Sequence, residues 1–170
     1  MSESNTVMEP IEKSWHELDA LVEKLGPDGL ALKGPDGWTV KDHLDHVAAW
    51  EQSLIALLDG RNRANAMGIS ASGDEDTDAV NDAIWKLHRE ESAAQGVAYF
   101  RNTHRELVDR LSRMSDEDLQ RPYNDYQPDD PRDPDDNRPT MEWVAGNTWE
   151  HYNEHLEWIN QLVKESSQER

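Results

Sequence analysis

The stretch Gly37-Trp-Thr-Val-Lys-Asp-His-Leu-Asp-His-Val-Ala-Ala-Trp-Glu51 decides the reading of this chain. Thr39 stands just before an apolar-periodic run and Asp42 follows three positions later. In this capping-box pattern a hydroxyl and a carboxylate each accept a backbone N–H that the first helical turn leaves without a partner. The helix is expected to run to about Leu58, with Leu44, Val47, Leu54, Ile55 and Leu58 turned inward, and to stop at Gly60. His46 lies inside it, one turn after Asp42, for which a capping role is the favoured reading.

Working outward, Ile11 to Leu25 carries Trp15, Leu18, Leu21, Val22 and Leu25 at three- and four-residue steps, and Gly26-Pro27 should end that helix. A third helix is expected from about Ala79 to Met114, softened at Gly96. Ser115 with Asp118 offers a short capped turn, and a fourth helix should run from Thr140 to about Val163. Residues 61–78 form a polar connector that buries little. Residues 120–139 form an acidic, Pro- and Asp-rich loop whose Asp133, Asp135 and Asn137 only begin a calcium-loop pattern, since Arg138 and Val144 stand where its glycine and glutamate belong, so it reads as solvated and disordered. No segment alternates as a strand must. Residues 1–170 therefore read as one all-α domain, a four-helix bundle.

Composition limits the function. With 17 Lys+Arg against 36 Asp+Glu the net charge is −19 over 170 residues, which argues against a nucleic-acid partner and against anionic membranes. The N-terminal MSESNTVMEP has no signal-peptide pattern and no run is long and apolar enough to span a bilayer, so a cytoplasmic protein is expected. Zero cysteines remove disulfides, thiolate nucleophiles and Cys-based zinc sites, and any metal must rest on histidines and carboxylates.

Seven histidines are the abundant ligands. His151 and His155, four apart on a helix, can present both imidazoles to one cation, and His46 can supply a third ligand if the second helix packs beside the fourth. Three neutral imidazoles leave positions open for water or substrate. A buried network of His and Asn bonded to Tyr, Trp or backbone explains the same spacing, and the sequence leaves both open. Asn147 and Glu91 are the catalytic candidates, each placed to orient an imidazole or move a proton. His43, His16 and His88 are expected at the surface, and His104 in the bundle end away from the other histidines. Among seven tryptophans beside a single Phe, Trp50, Trp143 and Trp158 are candidate walls of a small-molecule pocket, with large core filler as the more frequent use of such side chains.

The Gly37–Glu51 stretch resembles the second-helix signature of the DinB/YfiT-like superfamily of metalloenzymes. Asn147-Thr-Trp-Glu-His-Tyr-Asn-Glu-His155 resembles its last-helix signature. Asp78-Ala-Val-Asn-Asp82 and Ser115-Asp-Glu-Asp-Leu119 are similar to segments of its ClbS/DfsB-like branch. The resemblance implies an up-down-down-up bundle and a divalent transition metal (Zn, Ni or Mn) on His46, His151 and His155. It also implies a metal-dependent hydrolase or thiol S-transferase acting on a small molecule, with a low-molecular-weight thiol as an optional cofactor. The alternative it carries is a metal-free small-molecule binding or self-resistance protein with a role in stress or detoxification. A homodimer through exposed tryptophans is compatible with such a bundle, and nothing in the sequence requires one.

Overall fold

The computed structural model describes residues 6–70 and 76–168, and its secondary structure there is helical. In chain order the helices are α1 (Met8–Leu30), α2 (Val40–Leu58), α3 (Arg63–Ala66), α4 (Thr77–His88) and α5 (Ala93–Leu111). They continue with α6 (Asp116–Gln120), α7 (Tyr123–Tyr126), α8 (Met141–Asn147) and α9 (Trp149–Gln168). The long helices α1, α2, α5 and α9 make the bundle: α2 packs on α5, α1 on α9, and α2 also meets α9 and α8. The all-α expectation holds, and among the described residues the only β features are the isolated bridges Lys33–Thr39 and Pro122–Pro139.

The chain folds around α2. Its Thr39–Asp42 capping box forms as read, and every position from Val40 to Leu58 except Trp50 and Gln52 is buried. Leu44, Leu54 and Leu57 join Ile11, Leu18, Phe100, Leu107 and Ile159 in the core, each fully buried aliphatic side chain contributing about 1.5–3 kcal/mol. A helix covered on all sides would normally be apolar throughout. This one also buries Lys41, Asp42, His43, Asp45, His46, Glu51 and Ser53, and buried polar groups require partners. Those partners define the chemistry of the molecule.

Three boundaries and the role of one glycine differ from the sequence reading. Gly26, at φ +62, does not end α1 but kinks it, and the helix resumes through Pro27 to Leu30. The expected third helix is two, α4 and α5, interrupted at residues 89–92, where Ser92 and Gln95 form a capping box. Gly96 is not the weak point: a Cβ there would lie 2.6 Å from Lys41 Cγ, so glycine permits the close approach of α5 to α2. The fourth helix breaks at Thr148 (φ −124, ψ −110) into α8 and α9.

Both loops are more structured than expected. The connector contains α3 and buries Met67 and Ile69 against Ala49, Val80 and Ile84; its residues 71–75 lie outside those described. In the 120–139 segment the buried Gln127 amide donates to the carbonyls of Ala56, Leu57 and Arg61, holding the end of α2. Asp136 accepts from Arg132 and Arg138, so this part of the loop is pinned rather than disordered.

Candidate functional site

His46 on α2 and His151 and His155 on α9 come together as the spacing allows: one ring nitrogen of each lies within 4.8 Å of the others. The Nε2 atoms of His151 and His155 are 3.0 Å apart. Two nitrogens bound to one zinc at tetrahedral angles would be about 3.3 Å apart, so these rings already face one point. Burial holds all three neutral, lowering His46 to about 3, His151 to about 4 and His155 well below its usual value. The Nδ1 atoms of His46 and His151 are buried with no hydrogen-bond partner. Three unprotonated, convergent imidazoles, two of them incompletely satisfied, fit a divalent cation.

The histidine missed by sequence reasoning is His43. It is buried rather than at the surface, because α9 packs over that flank of α2 and sets His155 Nδ1 2.8 Å from His43 Nδ1. His155 therefore faces His151 with one nitrogen and His43 with the other. His88 is also covered rather than solvent-exposed, stacked on Tyr99 and bonded to Glu91. His16 is at the surface as expected. His104 is buried against Trp15, which stacks on it at 4.0 Å.

A cavity of about 760 Å³ opens onto these rings. Trp38 packs against His43 and His46, Trp50 lies beside His46, and Trp158 packs against His155 and His43. Trp50 and Trp158 line the cavity, as does Asn147, whose amide donates to the Trp143 carbonyl. Trp143 is not among the lining residues. The break at Thr148 shifts the phase of α8 relative to α9, and the Trp143 ring meets Tyr123 and the guanidinium of Arg138, 4.6 Å away.

Glu91 is not at the cavity either. It joins Asp45 and His88 in a second cluster, where Lys41 Nζ already donates to Asp45 at 2.6 Å and to the His88 carbonyl at 2.8 Å. Burial raises Asp45 to about 6 against the opposing pull of Lys41. A third buried group sets the rotation of α9: Tyr152, next to His151, donates its hydroxyl to the fully buried Glu51, with His104 alongside. This bond turns residues 151 and 155 toward α2. Burial also pushes Glu51 above the ordinary carboxylate range.

The profile of the DinB superfamily matches residues 11–159. The chain belongs to the DinB superfamily. No curated protein matches it. Solved structures similar to this DinB-superfamily chain include the following. The first is an uncharacterised protein from Escherichia coli UTI89 (TM-score 0.67, 15% identity, 94% of this chain and 92% of that one). The second is the colibactin self-resistance protein ClbS in complex with a dsDNA (TM-score 0.68, 16% identity, 92% of each chain). The third is the sibling lethal factor precursor DfsB (TM-score 0.66, 16% identity, 93% of each). At these identities the likeness shows the fold, in keeping with the ClbS/DfsB-like resemblance. The ClbS complex overturns the exclusion of nucleic acid drawn from composition. Net charge sums over a whole chain, whereas phosphate contacts depend on a local patch. Among the described residues no helix is long and apolar enough to cross a membrane.

The buried imidazoles make a signed prediction for metal-free protein. A histidine whose folded pKa lies below about 6.5 stabilises fully above that pH and loses its contribution as pH falls toward the folded value. For His151 and His46 that decline extends toward about 4 and about 3, and burial lowers His43 and His155 in the same sense. Asp45 and Glu51, both raised, act oppositely above about pH 4, two carboxyls against four imidazoles. Urea unfolding of EDTA-treated protein should therefore show stability falling between about pH 7 and about pH 4.5. A flat profile, or one rising toward acid, would contradict this balance.

Proposed function

We propose that this DinB-superfamily chain is a metal-dependent enzyme of hydrolase or thiol S-transferase type acting on a small molecule, with a divalent transition metal held by His46, His151 and His155. The observation that carries it is the convergence of three neutral imidazoles at a cavity of about 760 Å³. A divalent cation there supplies Lewis acidity toward a bound water, thiol or carbonyl. The chain's own groups do the rest: Trp38, Trp50 and Trp158 present apolar surface to a ligand, and Asn147 offers a polar edge at the wall. Elemental analysis of protein purified without added metal or chelator, beside His46→Ala and His151→Ala, tests the reading. Near-stoichiometric metal lost in both variants supports it, and a wild type that cannot be loaded with zinc, nickel or manganese refutes it.

In this reading His43 positions His155, since the Nδ1 contact fixes which ring nitrogen is free for the cation. His43→Ala should weaken zinc affinity by about 10–100-fold, less than loss of His151, in competition with a chromogenic chelator. His43→Gln, which keeps a hydrogen-bonding group, should recover part of the loss. Unchanged affinity in His43→Ala would reduce that contact to packing.

A second reading has its own support. The His43–His155–His151 contacts can be satisfied by shared protons without a metal, and the similar ClbS is a self-resistance protein. A metal-free binder would quench tryptophan fluorescence with ligand after chelation as well as before. The ClbS complex also makes duplex DNA a partner to titrate, with labelled duplex at low salt, where phosphate contacts are strongest.

A further inference from the structure

The charge around the cavity is lopsided. Asp36, Glu154 and Glu165 line its exposed part, and no Lys or Arg is among the lining residues. None of these carboxylates has a Lys or Arg within ion-pair distance among the described residues. Among the described residues Asp36 accepts from the Trp38 backbone N–H and Glu165 from Gln161. The remaining walls include the neutral imidazoles and the rings of Trp38 and Trp50, with Trp158, 48% exposed, beside the rim. Indole faces carry negative electrostatic potential and attract cations. Low-dielectric walls lined by one sign of charge focus that field into the cavity.

We infer that the cavity selects organic cations, small molecules joining an apolar or aromatic body to a protonated amine, quaternary ammonium or guanidinium group, over anionic ones. This deepens the reading of the cavity as the functional site and rests on it. The cationic group is held between the carboxylate rim and the Trp158 ring, and the apolar body lies toward Trp38 and Trp50. A divalent cation on the three histidines would set two positive charges against the three rim carboxylates. A thiol or other substrate bearing several carboxylates meets repulsion there.

Three probes sharing a phenyl ring test it: benzyltrimethylammonium, benzyl alcohol and benzenesulfonate, titrated calorimetrically into the purified protein at low and high salt. The ammonium should bind at least about tenfold tighter than the sulfonate, with the alcohol between, and the gap should shrink as salt rises. A triple variant, Asp36→Asn, Glu154→Gln and Glu165→Gln, alters exposed side chains only. It should keep its circular dichroism and benzyl alcohol binding while losing most of the gap. Trp158→Ala should weaken the ammonium more than the alcohol. Sulfonate binding as tight as ammonium, no ammonium binding, or a gap unchanged in the triple variant overturns the inference. Elemental analysis of the same batches reports separately on the histidines. Metal retained without charge preference refutes cation selection alone, and charge preference without metal refutes the metal-dependent reading alone.

Discussion

Zinc added to chelated protein should raise the melting temperature by about 5–10 °C, and His151→Ala should abolish the rise. The magnitude follows from linkage: a ligand that binds only the folded state stabilises by about 2.7 kcal/mol at a hundred times its Kd, and each kcal/mol shifts a chain of this size by about 2–4 °C. Only the folded chain joins His46 on α2 to His151 and His155 on α9, so an unfolded chain competes weakly for the ion. His46→Ala should behave like His151→Ala because it removes the one ligand that α2 contributes. His16→Ala is the control: that side chain is exposed and, among the described residues, pairs with Glu12 and the edge of Trp15. A rise in the His151 variant equal to wild type would place zinc binding elsewhere.

Lys41→Met is expected to cost about 3–5 kcal/mol, the range for removing one partner of a buried ion pair, or a drop in melting temperature of about 6–20 °C. Asp45 is 2% exposed and its Oδ1 already lacks a partner. Without the Lys41 Nζ its carboxylate would have none. The same ammonium holds the His88 carbonyl at the end of α4, and Gly96 lets α5 close over its stem, so three helices lose a common anchor. The double variant Lys41→Met with Asp45→Leu should recover most of the loss, since two apolar groups of similar volume replace the pair. A single variant within about 1 kcal/mol of wild type would show that Asp45 is neutral and self-sufficient there.

What could be read ahead of the structure was local. The capping box at Thr39 and Asp42, the apolar stripe of α2 and the four-residue step from His151 to His155 are written within one or two turns of chain. Each appears where the pattern places it. His43 was misjudged because its surroundings are built by α9, more than a hundred residues on, and no local period encodes which flank a distant helix will cover. The break after His88 did leave a signal, Ser92-Ala-Ala-Gln95, a second capping box that the continuous apolar periodicity on both sides masked. The expectation that Trp143 walls the cavity assumes one continuous helix from Thr140 through His151. The turn at Thr148 breaks the helical phase that the assignment assumed, and the ring faces Arg138 instead. The expected helix from Ala79 to Met114 would hold Glu91 in its middle, whereas the residue lies between two helices and completes the cluster around Lys41. Composition misled about nucleic acid for a related reason: a sum over the chain has no position.

His46 comes from the second helix of the chain and its two companions from the last, so about a hundred residues separate the ligands that must meet. During synthesis the growing chain presents His46 without its two companions until α9 has left the ribosome. One of the three ligands by itself binds weakly and unselectively, so the emerging polypeptide cannot assemble this site early. The choice of ion then falls to the finished bundle, whose geometry, rather than the order in which ions are encountered, decides which one stays.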